Sequence, residues 1–273
     1  MTRWVFRHYL LGVMLIEGIV GGYAIFLLMP RGVSFAAVIV LMAAAVAPWL
    51  IVYSYSSQRL SQAALYALAE ECDPEPLLEL AEETLAQFDR WGKSRRPNIL
   101  AWRLNRVVGL TSLGRHQEAM EELNELQTRL PKKPSQSNLL YHNNRAAVDC
   151  AMGQAEDMEV ELARAEELLG EIRMPESLRG VFLLALRSNR CRLRLLQDGP
   201  TPQIEREYRA LLEQAPSTRI RVEAHLALAK CTLARGDETE TRDHLRFVMD
   251  HGNKLEARRK AEDLLAGLSG TET

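Results

Sequence analysis

A two-residue polar motif, Asn followed by Arg, recurs at nearly constant distance from a glycine in this chain of 273 residues. An amide side chain offers one acceptor oxygen and two donor hydrogens, so aligned asparagines can bond the C=O and N–H groups of an extended peptide. The motif therefore predicts a column of peptide- or protein-binding residues along a groove. The three copies are Asn105-Arg106, Asn144-Arg145 and Asn189-Arg190, which precede Gly114, Gly153 and Gly199 by nine, nine and ten residues.

These residues also have a purely structural interpretation. Asn105, Asn144 and Asn189 would then tie one helix to the next through buried hydrogen bonds. Arg145 and Arg190 are included among the candidate ligand contacts, with surface salt bridges as their alternative. The sequence leaves both interpretations open.

Glu17 stands inside the first of two long apolar runs. An acidic group near the centre of a bilayer costs about 2.5 to 3.5 kcal/mol on insertion scales, so it is usually protonated, paired or turned toward protein. Gly18 and Gly22 form a face of small residues beside it, and Ala43 with Ala47 offers a matching face on the second run, which predicts close helix contact. Glu17, Gly18 and Gly22 are predicted intramembrane contacts to a partner protein or to another copy of this chain. A proton or ion path is the alternative.

Motifs of the common enzyme classes are absent from the sequence. There is no HExxH zinc motif, no phosphate-binding P-loop, no GxSxG nucleophile elbow and no dinucleotide-binding glycine fingerprint. The histidines are scattered over different predicted helices, and acidic residues lie one helical turn from basic ones, as in Glu256 and Lys260, which is typical of solvated helix faces. We therefore expect no catalysis, no cofactor and no metal site.

Charge divides the chain into two parts. Up to Arg59 there are four arginines and one glutamate, a balance of plus three, whereas the whole chain carries minus two, so the remainder carries minus five. A nucleic-acid-binding domain normally has a basic surface, so no nucleic-acid partner is expected. The four cysteines lie far apart without a CxxC motif, which predicts buried, reduced thiols in a reducing compartment. They are Cys72, Cys150, Cys191 and Cys231.

The two apolar runs span about residues 9–29 and 33–53. Each has the roughly 20 residues that a helix rising about 1.5 Å per residue needs to cross a hydrocarbon core of about 30 Å. Only residues 30–32 join them, a proline, an arginine and a glycine, so residues 1–55 are predicted to form a two-helix transmembrane hairpin. A cleaved signal peptide is the alternative, but its apolar region would be shorter and no second span would follow it.

Positive charges near the ends of the spans predict the orientation. Arg3, Arg7 and Arg59 lie on the side of the termini, whereas Arg31 alone lies in the connection. Because positive residues favour the cytoplasmic side, both termini and the repeat domain are predicted to be cytoplasmic, in a plasma or inner membrane. Aromatic residues that suit the headgroup layer mark the same side, namely Trp4, Phe6, Tyr9, Trp49, Tyr53 and Tyr55.

Residues 56–273 show apolar residues at helical spacing, interrupted by glycine and proline. Gly114, Gly153, Gly199 and Gly236 fall between the members of successive helix pairs, at intervals of 39, 46 and 37 residues, a period typical of helical repeats. We predict an all-α domain of about five helix pairs that begins at about Gln58 and ends in a capping helix. Breaks are expected near residues 73–74, 92–97, 114, 131–134, 153, 174–175, 198–202, 216, 236 and 252.

Two segments carry a resemblance to a known family. The sequence LGRHQEA at residues 113–119, followed by Pro131, and the sequence NNRAA at residues 143–147, followed by Gly153, resemble tetratricopeptide repeats (TPR). The resemblance implies an α-solenoid in which an Asn at this position of the first helix holds the backbone of a ligand. In one branch of the family the Asn is joined by Lys and Arg, which bind a C-terminal carboxylate. Ala185 occupies the corresponding cation position here.

The sequence thus predicts a membrane-anchored, TPR-like scaffold or adaptor that binds a protein or peptide in the concave groove of its cytoplasmic repeats. One alternative is an accessory subunit of a membrane transport or secretion complex that contacts its partners through the transmembrane helices. Another is a regulatory sensor whose repeats close on a signalling peptide.

Overall fold

The computed structural model describes residues 2–90 and 97–269, and every regular element within them is helical. The predicted all-α class is confirmed for these residues. The predicted break at residues 92–97 lies almost wholly outside them. The chain divides into two compact units, Met1–Ala64 and Leu65–Thr273.

The first unit consists of two long apolar helical segments. The first begins with α1 (Thr2–Arg7) and α2 (Tyr9–Tyr23), and continues as a π-helical turn and a short 3-10 turn up to Arg31. Gly32 then takes the left-handed conformation at φ 83°, which lets the chain reverse. The second segment is α3 (Phe35–Ala69). The stretch from Leu11 to Arg31 and α3 are both long and apolar enough to cross a membrane.

The contact between these two helices lies where large side chains cover glycines. Trp49 donates its indole N–H to the carbonyl oxygen of Tyr9 at 2.9 Å, and its ring occupies the space that a Cβ on Gly12 would need. Met42 contacts the corresponding position of Gly21 at 3.5 Å. Close approach therefore depends on Gly12, whereas a Cβ at Gly21 would make an ordinary van der Waals contact with Met42.

The predicted contact through the other small residues was wrong. Among the described residues, no atom beyond the neighbouring backbone of the same helix lies within 4 Å of the Cβ position of Gly18 or Gly22, and Ala43 and Ala47 are exposed. Successive residues of a helix are about 100° apart, so Gly22 is turned away from the side on which Gly21 meets Met42. These small residues are therefore not covered by the second helix.

Helix α3 is longer than predicted. The expected separation between a span that ends at residue 53 and a repeat helix that begins at about Gln58 is not present, because no glycine or proline stands between Pro48 and Pro74 to interrupt the helix. At about 1.5 Å per residue, a helix of this length exceeds the roughly 30 Å hydrocarbon core. The predicted first helix of the repeats is the final part of α3.

Within the described residues, ten further helices follow in the second unit. They are α4 (Glu75–Arg90), α5 (Pro97–Ser112), α6 (His116–Gln127), α7 (Gln136–Ala151), α8 (Ala155–Glu171), α9 (Glu176–Gln197), α10 (Pro202–Glu213), α11 (Thr218–Ala234), α12 (Glu238–His251) and α13 (Glu256–Ser269).

The turns between these helices follow from their residue types. Gly114, Gly153 and Gly236 have positive φ, and each allows the following N–H to bond a carbonyl five residues earlier, which caps the preceding helix. At the other ends, Ser135 and Thr201 accept a backbone N–H and cap α7 and α10. These local devices explain why the breaks fall where the sequence predicted them.

Packing within this unit is sequential. Each helix from α4 to α13 packs on the next, and α5 with α7, α7 with α9 and α11 with α13 are also in contact. Three apolar clusters fill the space between the helices, centred on α5 to α7, on α7 to α9 and on α9 to α11. Odd-numbered helices therefore form an inner row, and even-numbered helices cover them.

The two ends of this unit meet through a set of polar contacts that we call the clasp, formed by residues 70–75 with Thr218, Asn253 and Lys254. The Thr218 hydroxyl donates to a Glu70 carboxylate oxygen at 3.0 Å, and the Asn253 amide donates to the carbonyl oxygen of Glu71 at 2.9 Å. The Lys254 ammonium lies 2.8 Å from the Asp73 carboxylate. The segment that precedes α4 is thus joined to the beginning of α11 and to the connection between α12 and α13.

Candidate functional site

A cavity of about 560 Å³ lies on the inner side of the second unit. Its walls come from α5, α7, α9, α11 and α13, with Tyr208 and Leu211 of α10 and His116 of α6. Helices α8 and α12 contribute nothing to it within the described residues. The volume lies in the range of sites that enclose a small ligand or a short segment of a partner.

Asn144 and Asn189 line this cavity, but their amide groups form hydrogen bonds between helices. Both side chains are buried, at 8% and 6% exposure. The Asn189 amide donates to the side-chain oxygen of Asn143 at 3.0 Å, and the Asn144 amide approaches the Leu104 carbonyl oxygen at 3.5 Å. The structure therefore shows the helix-tying contacts for these two residues.

The remaining members of the Asn-Arg motif lie away from the cavity. Asn105 is partly buried and is not among the cavity-lining residues. Arg145 donates to Asn124 and to the Tyr141 hydroxyl, and Arg190 holds Glu166 with two nitrogens. The motif thus does not gather at one place, and its arginines form polar contacts toward the even-numbered helices.

One wall of the cavity carries an acidic centre with basic partners. The Glu256 carboxylate lies 2.9 Å from the ring of His116 and 2.9 Å from the Lys260 ammonium. Burial alone would raise its pKa, but the hydrogen bonds from His116 and Lys260 lower the pKa of Glu256 to about 2. This carboxylate is therefore ionised and paired.

Sequence analysis did not single out the cations and the phenol that face the cavity, Arg192, Lys230 and Tyr208. Lys230 carried a signal, since it is the sole charged residue in the apolar stretch from Leu226 to Ala234 of α11. Arg192 follows Asn189 by three residues, about one helical turn, so it shares that inward face. Tyr208 had no comparable signal, because its position depends on how α10 packs.

The intramembrane candidates lie in the first unit and are not part of the cavity. Glu17 and Gly18 are exposed, and Gly22 is partly exposed. No second helix of this chain covers Gly18 or Gly22.

Comparison with known proteins adds no relative. No family model, no curated protein and no solved structure matches the chain. Functional inference therefore depends on the geometry of the chain itself.

Metal binding and thiol reactivity both depend on how the ligating and nucleophilic side chains are placed in the structure. No group of three or more His, Cys, Asp or Glu side chains among them is arranged to hold a metal ion. Cys72, Cys191 and Cys231 are buried, and burial raises the pKa of each thiol to about 11. Such thiols stay protonated near neutral pH and are poor nucleophiles.

Proposed function

We propose that this protein is a membrane-anchored adaptor with a TPR-like helical-repeat domain on the cytoplasmic side, which binds a segment of a partner protein or peptide by recognition without catalysis. The two N-terminal helices serve as the anchor. The inner cavity of the repeats serves as the binding site.

The anchor is supported by how little of the apolar helices is buried. In their most apolar windows, only 11% of the first helix and 6% of the second are buried. A core helix of a soluble protein would be mostly covered by its own chain, because exposing so much apolar surface to water is unfavourable. A lipid environment removes that cost for both helices.

The cavity is the observation that supports the proposed binding function most directly. Five successive inner helices turn polar side chains, including Ser188 and Asn143, toward one enclosed space. Polar groups in a concave, partly enclosed site fix the orientation of a ligand, while the apolar walls contribute burial. Anchoring would also concentrate the site at the membrane, so partners held there can be bound by weak contacts.

Filling the cavity tests this function. Ala185 lines the cavity and is partly exposed to it, so Ala185→Trp would occupy the space without removing an interhelical hydrogen bond. The matched control is Val160→Trp on α8, at a side chain 67% exposed and outside the cavity. After both variants are shown to have wild-type helicity and melting temperature, co-purification from native membranes should lose a specific partner only for Ala185→Trp. Equal recovery with both variants would contradict the proposal.

The uncovered face of the first helix favours a second candidate, an accessory subunit that binds other membrane proteins through its spans. Glu17 and Gly18 are exposed on a helix that would lie in lipid, where an acidic group is unfavourable unless a partner covers it. Replacing both spans with unrelated ones of equal length separates the candidates. An adaptor keeps its partner after this exchange, whereas an accessory subunit loses it.

A further inference from the structure

The inner cavity has an excess of positive charge, although the chain as a whole is acidic. Four cations line it against two carboxylates, and the chain carries a net charge of −2. The lining charges are Arg192, Arg219, Lys230 and Lys260 with Glu223 and Glu256. Positive charge has therefore been concentrated at one place in an otherwise negative chain.

Two of these cations are already neutralised. Arg219 lies 3.4 Å from the Glu223 carboxylate, and Lys260 lies 2.9 Å from the Glu256 carboxylate. Among the described residues, neither Arg192 nor Lys230 forms an ion pair within 4 Å. The excess of charge thus rests on Arg192 and Lys230.

These two cations lie close enough to repel each other. Lys230 lines the cavity and its side chain is exposed there. Desolvation by the cavity walls, with repulsion from Lys260 and Arg192, lowers the pKa of its ammonium. Glu223 and the Cys150 side chain offset part of the charge of Arg192, and a bound negative group would offset the repulsion that remains.

Tyr208 supplies an independent observation. Its side chain is 3% exposed and lines the cavity, and its hydroxyl has no hydrogen-bond partner within the described residues. Burial raises the pKa of this phenol, so it stays protonated and can donate a hydrogen bond. A buried hydroxyl without a partner is rare in folded proteins and points to a group that is bound from outside.

We propose that the cavity binds an oxyanion of its ligand, a carboxylate or a phosphate group, at Arg192, Lys230 and Tyr208. This inference rests on the proposed function, in which the cavity is the binding site, and names the chemistry that the site recognises. The guanidinium and the ammonium supply charge, and the phenol supplies a neutral donor. Because an acidic peptide segment and a free small anion carry the same group, the experiment includes both.

The experiment uses the full chain in detergent micelles and measures its melting temperature at constant ionic strength. The probes are inorganic phosphate, succinate and triglutamate, and succinamide is the uncharged control. An anion that binds the folded state raises the melting temperature in proportion to the logarithm of its concentration above its Kd. We expect at least one of the three anions to raise it by several degrees at about 10 mM, and succinamide to have no effect.

Variants locate the effect. Arg192→Gln with Lys230→Gln should weaken anion binding at least about 10-fold, and Tyr208→Phe should weaken it by a few fold. The charge-matched control is Arg246→Gln with Lys133→Gln, two exposed side chains outside the cavity. If the double cavity variant fails to fold, Lys230→Gln alone serves, because its short polar replacement fits the same space.

Cys150 provides a second measurement that does not depend on melting. It lines the cavity and lies within hydrogen-bonding range of the Arg192 side chain. A bound anion should slow alkylation of Cys150 by N-ethylmaleimide in the wild type and not in the double cavity variant. No stabilisation by any of the three anions, or equal stabilisation of the wild type and the double cavity variant, would overturn the inference.

The two proposals can fail separately. If Ala185→Trp abolishes partner recovery but the double cavity variant retains both its partner and its anion response, the function stands and the oxyanion site is wrong. If anions bind at Arg192 and Lys230 while Ala185→Trp leaves partner recovery unchanged, the site stands and the adaptor function is wrong.

Discussion

Asparagine at the same position of two inner helices, α7 and α9, takes part in the packing of the second unit. The Asn189 amide donates to two oxygens of Asn143, one in the side chain and one in the backbone, across the interface between α9 and α7. Because this amide is buried, its removal leaves those acceptors without a partner, which costs about 1 to 3 kcal/mol. The residue type that suggested ligand binding thus also stabilises the contact between α7 and α9.

Replacement of Asn189 tests that role. Asn189→Ala should lower the melting temperature of the full chain in detergent by several degrees, as measured by circular dichroism. Ser188→Ala is the matched control, since Ser188 lines the cavity without a hydrogen bond to another described residue. Equal melting temperatures for the two variants would show that the Asn189 contacts contribute little to stability.

The buried carboxyl group of Asp149 should make the stability of the folded state depend on pH. Its side chain is buried with one carboxylate oxygen unpaired, and burial raises its pKa to about 6 from 3.8, against the opposing effect of Arg145 and with Glu161 and Asp157 adding to the rise. Between pH 3.8 and about pH 6, the Asp149 carboxyl holds a proton in the folded state and releases it in the unfolded state. This group therefore favours folding at low pH, and its contribution falls as the pH rises through the window from about 4 to 6.

Asp149→Asn removes the buried charge. We expect the variant to be more stable than the wild type by about 1 to 3 kcal/mol at pH 7.5 and equally stable at about pH 3, where the wild-type carboxyl is neutral in both the folded and the unfolded state. Melting curves at both pH values provide the measurement, with Asp243→Asn on an exposed face as the control. A difference that does not change with pH would contradict the assignment.

At the scale of helices, the sequence predicted the elements that depend on local chemistry. Gly114, Gly153 and Gly236 mark turns because each adopts a positive φ. Two elements were not predictable in this way. The merging of residues 58–69 into α3 depends on the absence of a breaker over a long stretch, and the clasp joins residues more than 140 positions apart. The first was visible in the sequence as a long stretch without glycine or proline, whereas no local pattern reports on the second.

The site was predictable only in part for the same reason. Periodicity placed Asn144 and Asn189 on inner faces, and both line the cavity. Which polar atoms find a partner is decided by the neighbouring helix, so the bonded amides and the unbonded Tyr208 hydroxyl could not be distinguished in the sequence. The orientation of α10 is a property of tertiary packing.

Replacement of Lys254 by glutamate should open the clasp locally. Lys254 lies beside Asp73 and Glu75, and its backbone N–H donates to the Cys72 carbonyl oxygen at 3.3 Å. Because these ion pairs are exposed to solvent, each contributes little to the stability of the fold, so Lys254→Glu should loosen this end without unfolding the second unit. Hydrogen exchange measured by mass spectrometry should become faster in residues 70–78.

Two comparisons check this expectation. Exchange in residues 139–150 of α7 should be unchanged in the same variant, and Lys132→Glu on an exposed segment should leave residues 70–78 unaffected. Unaltered exchange at residues 70–78 in Lys254→Glu would show that the clasp is not held by its charges.

For the whole molecule, the distribution of positive charge predicts the orientation in the membrane. Arg31 alone marks the connection between the two apolar helices, against three arginines near their other ends. In intact cells, Arg31→Cys should react with a maleimide that does not cross the membrane, whereas Ser61→Cys should react only after permeabilisation. Labelling of Ser61→Cys from outside would reverse the proposed topology.

The central claim is that an anchored repeat domain binds a partner segment in its inner cavity. Its most direct test is site-specific photo-crosslinking in native membranes, with a photoreactive amino acid at Leu196, which lines the cavity at 39% exposure, and at Val160 on the outer face of α8 as the control. We predict a defined crosslinked product from Leu196, identified by mass spectrometry as one protein segment and competed by a synthetic peptide of that segment, and none from Val160. The same products from both positions, or none from Leu196, would contradict the account.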